Sequence, residues 1–585
     1  MRVPLVSNPL HRRKPSTVSR WRVICRAIRQ CVPPLVLFAG FLSLYSLTLT
    51  RWHHYDAVSY ALQIRGFEET GKAGWLFHPH HLLFNGLGLL SHRALAAIHT
   101  QVDPLRSLQF MNAFLGSLGA VLIYAVLTRG GLRVRRAQSA PHFVDANLAF
   151  AAALVVGTSY GYWVCATDGR VNTPGVCALT LALGLAWGML DCPCAVQAVA
   201  MALATALALV LHQSHGLFVV SGAVAIWLAP VPSLVRTRLA ALYLFGFGSA
   251  VVLLYLGVAL WVKGFTTFDQ LGRWALAYAV DGRWWSFEFP ENLARAGMAV
   301  AYAFVTGLPG TREGPVWPGM AYCVRLLQGS LGLALGLWLW DALRLLFRRT
   351  RAAGTRARAV EGRLVVLASL VASYGLFFSV WCPGNYVFWI PVALALVAWL
   401  AVRASDALLW SRRVAVVMIV WTLLAIATSL TSTIARRTNA EHNPALSLCR
   451  ALNRHMRAQD ILLVSGTAKA TRVGHGLLCQ FDPPIDIYAR YFTRRRVVSL
   501  DSCFASMRAE PGRATQYVRS LVQSHTRVGG TVVVLDDVLD EYAWRELNKR
   551  YGVSPALREA ILRGYRMKPM FTTRETTAYR LSRGP

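Results

Sequence analysis

Long apolar blocks recur along this chain and constrain its fold more than any other feature. The first covers residues 33–50, and others follow as far as residue 432. Each block is close to the length of about 20 residues that an α-helix needs to cross a bilayer. Hydrophobic residues make up 55% of the 585-residue chain and charged residues only 15%, which is too little charge for a soluble protein of this size. We therefore expect an all-α polytopic membrane domain over residues 33–433.

Basic residues between the blocks predict the topology. Residues 1–32 carry many Arg and Lys residues and no acidic residue, and segments 129–136 and 346–363 are rich in arginine, so all three are expected on the cytoplasmic side. We interpret the first block as an uncleaved signal anchor. Composition alone leaves open whether 82–99 and 293–308 cross the membrane. The alternation of charged loops predicts that neither does, and that 82–99 is an amphipathic helix at the interface.

This reasoning gives about 11 transmembrane helices, a cytoplasmic N-terminus and two long outer loops at 51–107 and 263–319. The remaining residues, 434–585, are then expected to form an extracytoplasmic domain. That segment alternates helix-like stretches at 444–456, 516–524 and 556–564 with strand-like stretches at 460–465, 496–500 and 531–535, and it is expected to end in a hairpin at 570–581. It has no nucleotide-binding motif, which favours a small α/β domain without a cofactor. Its three cysteines, Cys449, Cys479 and Cys503, leave one disulfide possible without specifying the pair. The predicted spans are 33–50, 108–128, 146–164, 175–190, 195–212, 216–230, 239–262, 320–345, 364–381, 386–402 and 414–432.

Polar residues that belong to different predicted loops fall on the same outer side. Few charges lie at the middle of a span and no internal repeat is visible, which is unlike a transporter. A polar site beside lipid is typical of an enzyme that acts on a lipid-linked substrate. The candidate catalytic residues are Asp56 and Asp168, and the candidate substrate-binding residues are His54, His78, His80, His81, Arg170, His212, His215, Arg273 and Arg283.

The order of these features resembles the GT-C superfamily of integral-membrane glycosyltransferases, in particular its protein O-mannosyltransferase and aminoarabinose-transferase-like branch. The resemblance implies a polyprenyl-phosphate-linked sugar donor and a bacterial inner (plasma) membrane location. It also implies that Asp56 acts on the acceptor hydroxyl and that Asp168 is a second acidic residue. The segments that carry it are Tyr55–Ala61 after the first span, His78-Pro79 downstream, the amphipathic stretch before Asn112, Trp163 with Asp168, and the His212–His215 turn.

The sequence departs from the family pattern at two points. Asp56 has no adjacent acidic residue, although the family often has a pair there. Some relatives carry a lysine beside the proline for the lipid phosphate, whereas this chain has histidines. Independently of the family, a carboxylate can deprotonate or orient an attacking hydroxyl. Cationic donors can stabilise a leaving phosphate, as arginines do, and as His80 and His81 would if protonated.

Each candidate also has a simpler interpretation. Asp56 can cap a helix, Asp168 can belong to an Asp-Gly turn, and His212 and His215 can lie at a membrane interface. The histidines lack the spacing of a metal site, so no metal is predicted, although a divalent cation is possible. The net charge of +33 follows from the loop arginines and comes with no nucleic-acid-binding motif. The main functional alternative is a polytopic transporter or lipid-handling protein without transferase chemistry.

Overall fold

A computed structural model describes residues 17–133, 143–277, 284–305, 318–347, 355–406, 408–467, 469–473, 478–482, 485–507, 510–573 and 576–583. Helices dominate as far as residue 455, in keeping with the apolar blocks. A helix lies at each of the eleven predicted spans. The helices of this part are Thr17–Leu47, Tyr55–Thr70, Phe84–Ile98, Pro104–Arg129, Ala146–Thr158, Tyr160–Thr167, Asn172–Asp191, Ala195–Leu211, Phe218–Leu228, Ser233–Gly257, Phe268–Ala275, Glu291–Phe304, Pro318–Phe347, Thr355–Val380, Ile390–Asp406, Leu408–Ser429, Ala435–Thr438 and Pro444–His455.

Length and hydropathy identify the helices that suit a membrane. Among the described residues, six helices are long and apolar enough to cross one, and a seventh candidate is the pair Ala146–Thr158 and Tyr160–Thr167, which is bent by 63°. Three further apolar helical segments are shorter. They are Cys31–Leu47 at the end of the first helix, Ala195–Leu211, and Gln213–Leu228, in which a 3-10 turn precedes the helix Phe218–Leu228. The chain therefore has the helices of a membrane protein, and the count of eleven crossings stays a prediction.

The helix ends gather at two opposite ends of the bundle. At one end Arg363 donates to Asp191 at 2.6 Å and to the carbonyl of Gly130 at 2.7 Å. Arg363 and Gly130 belong to two of the segments expected in the cytoplasm. At the other end the amide of Thr50 donates to the carbonyl of Thr167 at 3.1 Å. The side-chain amide of Gln109 donates to the carbonyls of Thr50 and Thr167. The candidate site lies at this second end.

Among the helices of the predicted outer loops, two cover the segments whose crossing of the membrane the composition left open. Phe84–Ile98 has 15 residues and Glu291–Phe304 has 14. At 1.5 Å per residue both are shorter than the apolar core of a bilayer, which is about 30 Å thick. The second helix inserts between bundle helices, because its small apolar face packs there: Tyr302 contacts Tyr160 at a ring-centroid distance of 5.2 Å.

The C-terminal part contains a mixed β-sheet. Strands β1 (Ile461–Val464), β4 (Arg496–Ser499) and β5 (Val532–Leu535) are parallel, whereas β6 (Tyr565–Thr572) and β7 (Thr577–Arg583) form an antiparallel hairpin, in the order β4-β1-β5-β7-β6. Strands β2 (Lys469–Val473) and β3 (Leu478–Asp482) pair separately. The helices that accompany the sheets are Ile485–Thr493, Leu500–Ser506, Pro511–Arg527, Glu541–Tyr551 and Ala556–Leu562.

The cysteines of this part are free where their side chains are described. Cys449 is buried at the face toward the Tyr55–Thr70 helix, and Cys503 belongs to the apolar core that covers the sheet. The side chain of Cys479 lies outside the described residues. The two described thiols are in different apolar clusters and do not pair with each other.

Candidate active site

The turn after the first long helix places Asp56 at the start of a new helix. His54, not Asp56, is the N-cap of Tyr55–Thr70: the amide of Asp56 donates to its Nδ1 at 3.3 Å. The same nitrogen lies 3.2 Å from Asp56 Oδ2. Only a protonated Nδ1 can donate to the carboxylate. Protonation at this nitrogen therefore decides whether His54 donates to the carboxylate of Asp56 or accepts from its amide. The Asp56 side chain is 36% exposed, which leaves its carboxylate open to a substrate.

Asp168 has the opposite environment, because its side chain is fully buried. It follows the Tyr160–Thr167 helix, and its carboxylate accepts from the amide of His54 at 3.0 Å, the amide of Gly169 at 2.9 Å and Nε of Arg170 at 3.0 Å. Asn112 donates to the carbonyls of Asp168 and Arg170 and fixes the turn from below. Asp168 therefore organises the loops around Asp56, and the Asp-Gly turn expected from sequence is part of that arrangement.

Five histidines from two chain segments come together, and we call His78, His80, His81, His212 and His215 the histidine cluster. The charge of Asp56 acts on three of them, His78, His80 and His212. The rings of His78 and His81 stack at 4.5 Å between centroids. His80 lies 6.3 Å from His212, which lies 5.5 Å from His215. The backbone joins the segments, since the amide of Gln213 donates to the carbonyl of His80 at 2.9 Å.

The histidine cluster requires a glycine on the neighbouring helix. A Cβ at Gly175 would lie 2.6 Å from Nε2 of His215 and 3.3 Å from Cβ of His212. Gly175 belongs to the Asn172–Asp191 helix, so the glycine allows that helix to approach the His212–His215 turn closely.

We expect Gly175→Ala to reduce the free energy of unfolding by about 1–3 kcal/mol, because the new methyl group overpacks the contact with the ring of His215. The matched control is Gly86→Ala, since nothing lies within 4 Å of a Cβ at that position. Unfolding of the two purified variants in mixed micelles, titrated with SDS, tests this. Equal stability of Gly175→Ala and the parent protein would contradict it.

Partial burial keeps His78 and His80 neutral. It lowers the pKa of His78 to about 4 and that of His80 to about 3, although the nearby charge of Asp56 acts in the opposite direction. For Asp56, burial raises the pKa, but His54, Arg170 and His78 together outweigh that effect and leave the pKa below its ordinary value. At neutral pH the site therefore combines an ionised carboxylate with neutral imidazoles.

Arg170 supplies a permanent positive charge. It is 7% exposed. Burial lowers its pKa, but Tyr386 and Asp168 outweigh this and hold the pKa above its ordinary value. Arg170 also lowers the pKa of Asp56, so its charge is felt at the exposed carboxylate.

Of the predicted arginines, one lies away from this arrangement and one is outside the described residues. Arg273 lies on the exposed helix Phe268–Ala275 and pairs with Asp269. Arg283 lies outside the described residues. Lys263, which the sequence reasoning missed, does approach: its Nζ donates to the carbonyl of Gly74 at 2.8 Å, and its charge lowers the pKa of His78. Its position directly after a predicted span was the available signal.

Aromatic residues close the site on the side of the Tyr386–Trp389 turn, and they too were missed. His80 stacks against Trp381 at 6.4 Å, and His212 contacts Phe388 at 5.9 Å. Among the described residues, no group of three or more His, Cys, Asp or Glu side chains has the geometry to hold a metal ion.

Comparison with solved structures identifies known folds that are similar to the fold of this chain. The GT-C resemblance is confirmed at the level of the fold by the aminoarabinose transferase ArnT from Cupriavidus metallidurans: the apo enzyme matches with a TM-score of 0.52 and 13% identity over 97% of this chain and 98% of that one. ArnT bound to undecaprenyl phosphate matches with a TM-score of 0.51 and 12% identity, over 93% and 97% of the two chains. No family model and no curated protein matches the sequence.

Proposed function

We propose that this protein transfers a sugar from a polyprenyl-phosphate carrier to an acceptor on the extracytoplasmic face of a bacterial inner membrane. In this proposal the chain crosses the membrane about eleven times from a cytoplasmic N-terminus, and residues 434–585 form an α/β domain on the outer side. One observation carries the proposal: in a chain with the fold of ArnT, the partly exposed carboxylate of Asp56 lies near His54, Arg170 and His78 of the histidine cluster.

Asp56 is suited to the role of general base. Its pKa lies below its ordinary value, so the carboxylate is ionised at neutral pH and can accept the proton of the acceptor hydroxyl. The acceptor oxygen then bonds to the anomeric carbon of the sugar while the bond from that carbon to the phosphate oxygen breaks. The electron pair of that bond leaves with the polyprenyl phosphate.

The histidine cluster is suited to the leaving phosphate. His81 is 7% exposed and its Nδ1 has no hydrogen-bond partner within the described part of the chain. Buried polar atoms are rarely left without a partner, so such a nitrogen favours a ligand at this position. ArnT has been solved with undecaprenyl phosphate bound, and a lipid phosphate is the ligand that we propose for this cluster. Lys263 adds positive charge near His78, and Arg170 adds positive charge near Asp56.

Asp168 acts in this proposal through its neighbours. Its carboxylate accepts from the backbone amide of His54 and from the guanidinium of Arg170. The imidazole of His54 and the charge of Arg170 in turn lower the pKa of Asp56. Asp168 is therefore a positioning residue in our proposal, and Asp56 is the group that touches the substrate.

The proposal is tested by giving a labelled polyprenyl-phosphate sugar to the full-length protein in nanodiscs together with membrane extract as the source of acceptor. We expect the label to move to the acceptor fraction and unlabelled polyprenyl phosphate to accumulate. Intact donor after long incubation would overturn the proposal. Movement of intact donor across vesicles without its consumption would support the transporter alternative instead.

We expect the affinity for polyprenyl phosphate to increase as the pH falls from 8 toward 5. The free histidines are neutral over this range, since burial holds the pKa of His78 at about 4 and that of His80 at about 3. A bound phosphate favours the charged imidazoles and raises those pKa values, so binding takes up protons. Dissociation constants measured at four pH values test this, and His80→Gln should reduce the dependence. An affinity that rises with pH would contradict the prediction.

A further inference from the structure

We propose that the C-terminal α/β region contributes a positioning residue to the active site: its Tyr488 orients the imidazole of His54 toward Asp56. The inference rests on the proposed transferase function, because the positioning serves the base of that reaction. Tyr488 lies on the Ile485–Thr493 helix, far from Asp56 in the sequence, and is fully buried.

One peptide group, between His53 and His54, is bonded to both Tyr488 and Asp168. The hydroxyl of Tyr488 donates to the carbonyl of His53, and the amide of His54 donates to Asp168 Oδ2 at 3.0 Å. That carbonyl and that amide belong to the same planar peptide unit. The unit is therefore held on one side by the C-terminal region and on the other by the bundle, and it cannot rotate without breaking one bond.

This peptide sets the direction of the His54 side chain. His54 has the extended conformation of an N-cap, with φ −74° and ψ 150°, and its Nδ1 faces both the amide and the carboxylate of Asp56. A rotation of the preceding peptide would carry the imidazole away from Asp56. Tyr488 thus affects the surroundings of the general base, Asp56, through His53 and His54, and it does not touch the substrate.

Independent contacts dock the C-terminal region onto the same loop. Tyr491 donates to Asp103 Oδ1 at 2.8 Å and accepts from the amide of Leu105 at 3.2 Å, at the start of the Pro104–Arg129 helix. Arg65 donates to the carbonyl of Tyr491 at 3.1 Å. An apolar cluster supports these bonds, with Tyr488 and Tyr491 packed against the Tyr55–Thr70 helix. Removal of the Tyr488 hydroxyl alone therefore leaves the region docked.

The test compares Tyr488→Phe with Tyr491→Phe, which removes a hydroxyl from the same helix without touching the His53–His54 peptide. We expect kcat of Tyr488→Phe to fall roughly 10- to 100-fold with an unchanged KM for the lipid-linked donor, since the defect is one of orientation. Hydrogen exchange at residues 51–56 should accelerate in this variant. Tyr491→Phe should show a smaller loss of kcat, and Tyr517→Phe, whose side chain is exposed, should match the parent protein in both measurements.

Parental kcat in Tyr488→Phe would overturn the inference, as would a rise in KM alone or unchanged exchange at residues 51–56. A comparable loss of kcat in Tyr491→Phe would assign the effect to docking and would also overturn it. A parent protein without any transfer activity overturns the proposed function instead, and the exchange measurement still shows whether Tyr488 restrains the peptide.

Discussion

Asp56→Asn is expected to lower the rate of sugar transfer by about 10²–10⁴-fold, the usual contribution of a general base. The amide keeps the size of the side chain but cannot accept the proton of the acceptor hydroxyl. Because the carboxylate is 36% exposed and forms no buried network, the variant should fold normally and bind polyprenyl phosphate about as well as the parent protein. Transfer of label from a polyprenyl-phosphate sugar measures the loss.

The matched control for this prediction is Glu69→Gln. Glu69 lies on the same Tyr55–Thr70 helix and is exposed near its end, so its substitution should leave the transfer rate at the parental level. Equal rates for Asp56→Asn and the parent protein would remove Asp56 from the mechanism, whatever the fold.

Asp168→Asn is expected to reduce the free energy of unfolding by about 3–5 kcal/mol, the cost of removing one partner of a buried ion pair. Three donors converge on the carboxylate, from His54, Gly169 and Arg170. An asparagine presents an NH2 group to one of them and leaves the buried guanidinium without its counter-charge. Unfolding of the purified protein in mixed micelles, titrated with SDS, measures the change.

Asp269→Asn provides the comparison, because Asp269 also pairs with an arginine, Arg273, but at the surface. Exposed ion pairs contribute about 0–1 kcal/mol, so this variant should unfold almost as the parent protein does. If both substitutions had the same small effect, the burial of the Asp168–Arg170 pair would not matter for stability, and the account of Asp168 as the residue that organises the loops would be wrong.

The sequence predicted the helical elements well because their signals are local. Apolar blocks gave a helix at every predicted span, and short β-branched runs gave strands β1, β4 and β5 within a residue or two. Helices with weaker apolar patterns were missed, such as Ile485–Thr493 and Glu541–Tyr551. The insertion of Glu291–Phe304 into the bundle could not be predicted either, since it depends on partners far along the chain, such as Tyr160.

The candidate residues of the site were named from the sequence, but their geometry could not be predicted. A shared outer side brought together Asp56, Asp168 and the histidines, and the structure places these residues in one neighbourhood. The role of each residue depends on its distances to the others and on its burial. The same reasoning gave Asp56 and Asp168 similar roles, whereas the carboxylate of Asp56 is partly exposed and that of Asp168 is buried against Arg170. It also could not separate Arg273, which lies on an exposed helix, from Arg170.

The most direct test of the central claim is the position of the phosphate in an electron-microscopy structure of the full-length protein bound to polyprenyl phosphate in a nanodisc. We expect the phosphate within hydrogen-bonding distance, about 2.7–3.2 Å, of ring nitrogens of the histidine cluster, on the side that faces Asp56. A phosphate bound elsewhere on the protein, with the cluster unchanged beside Asp56, would contradict the account.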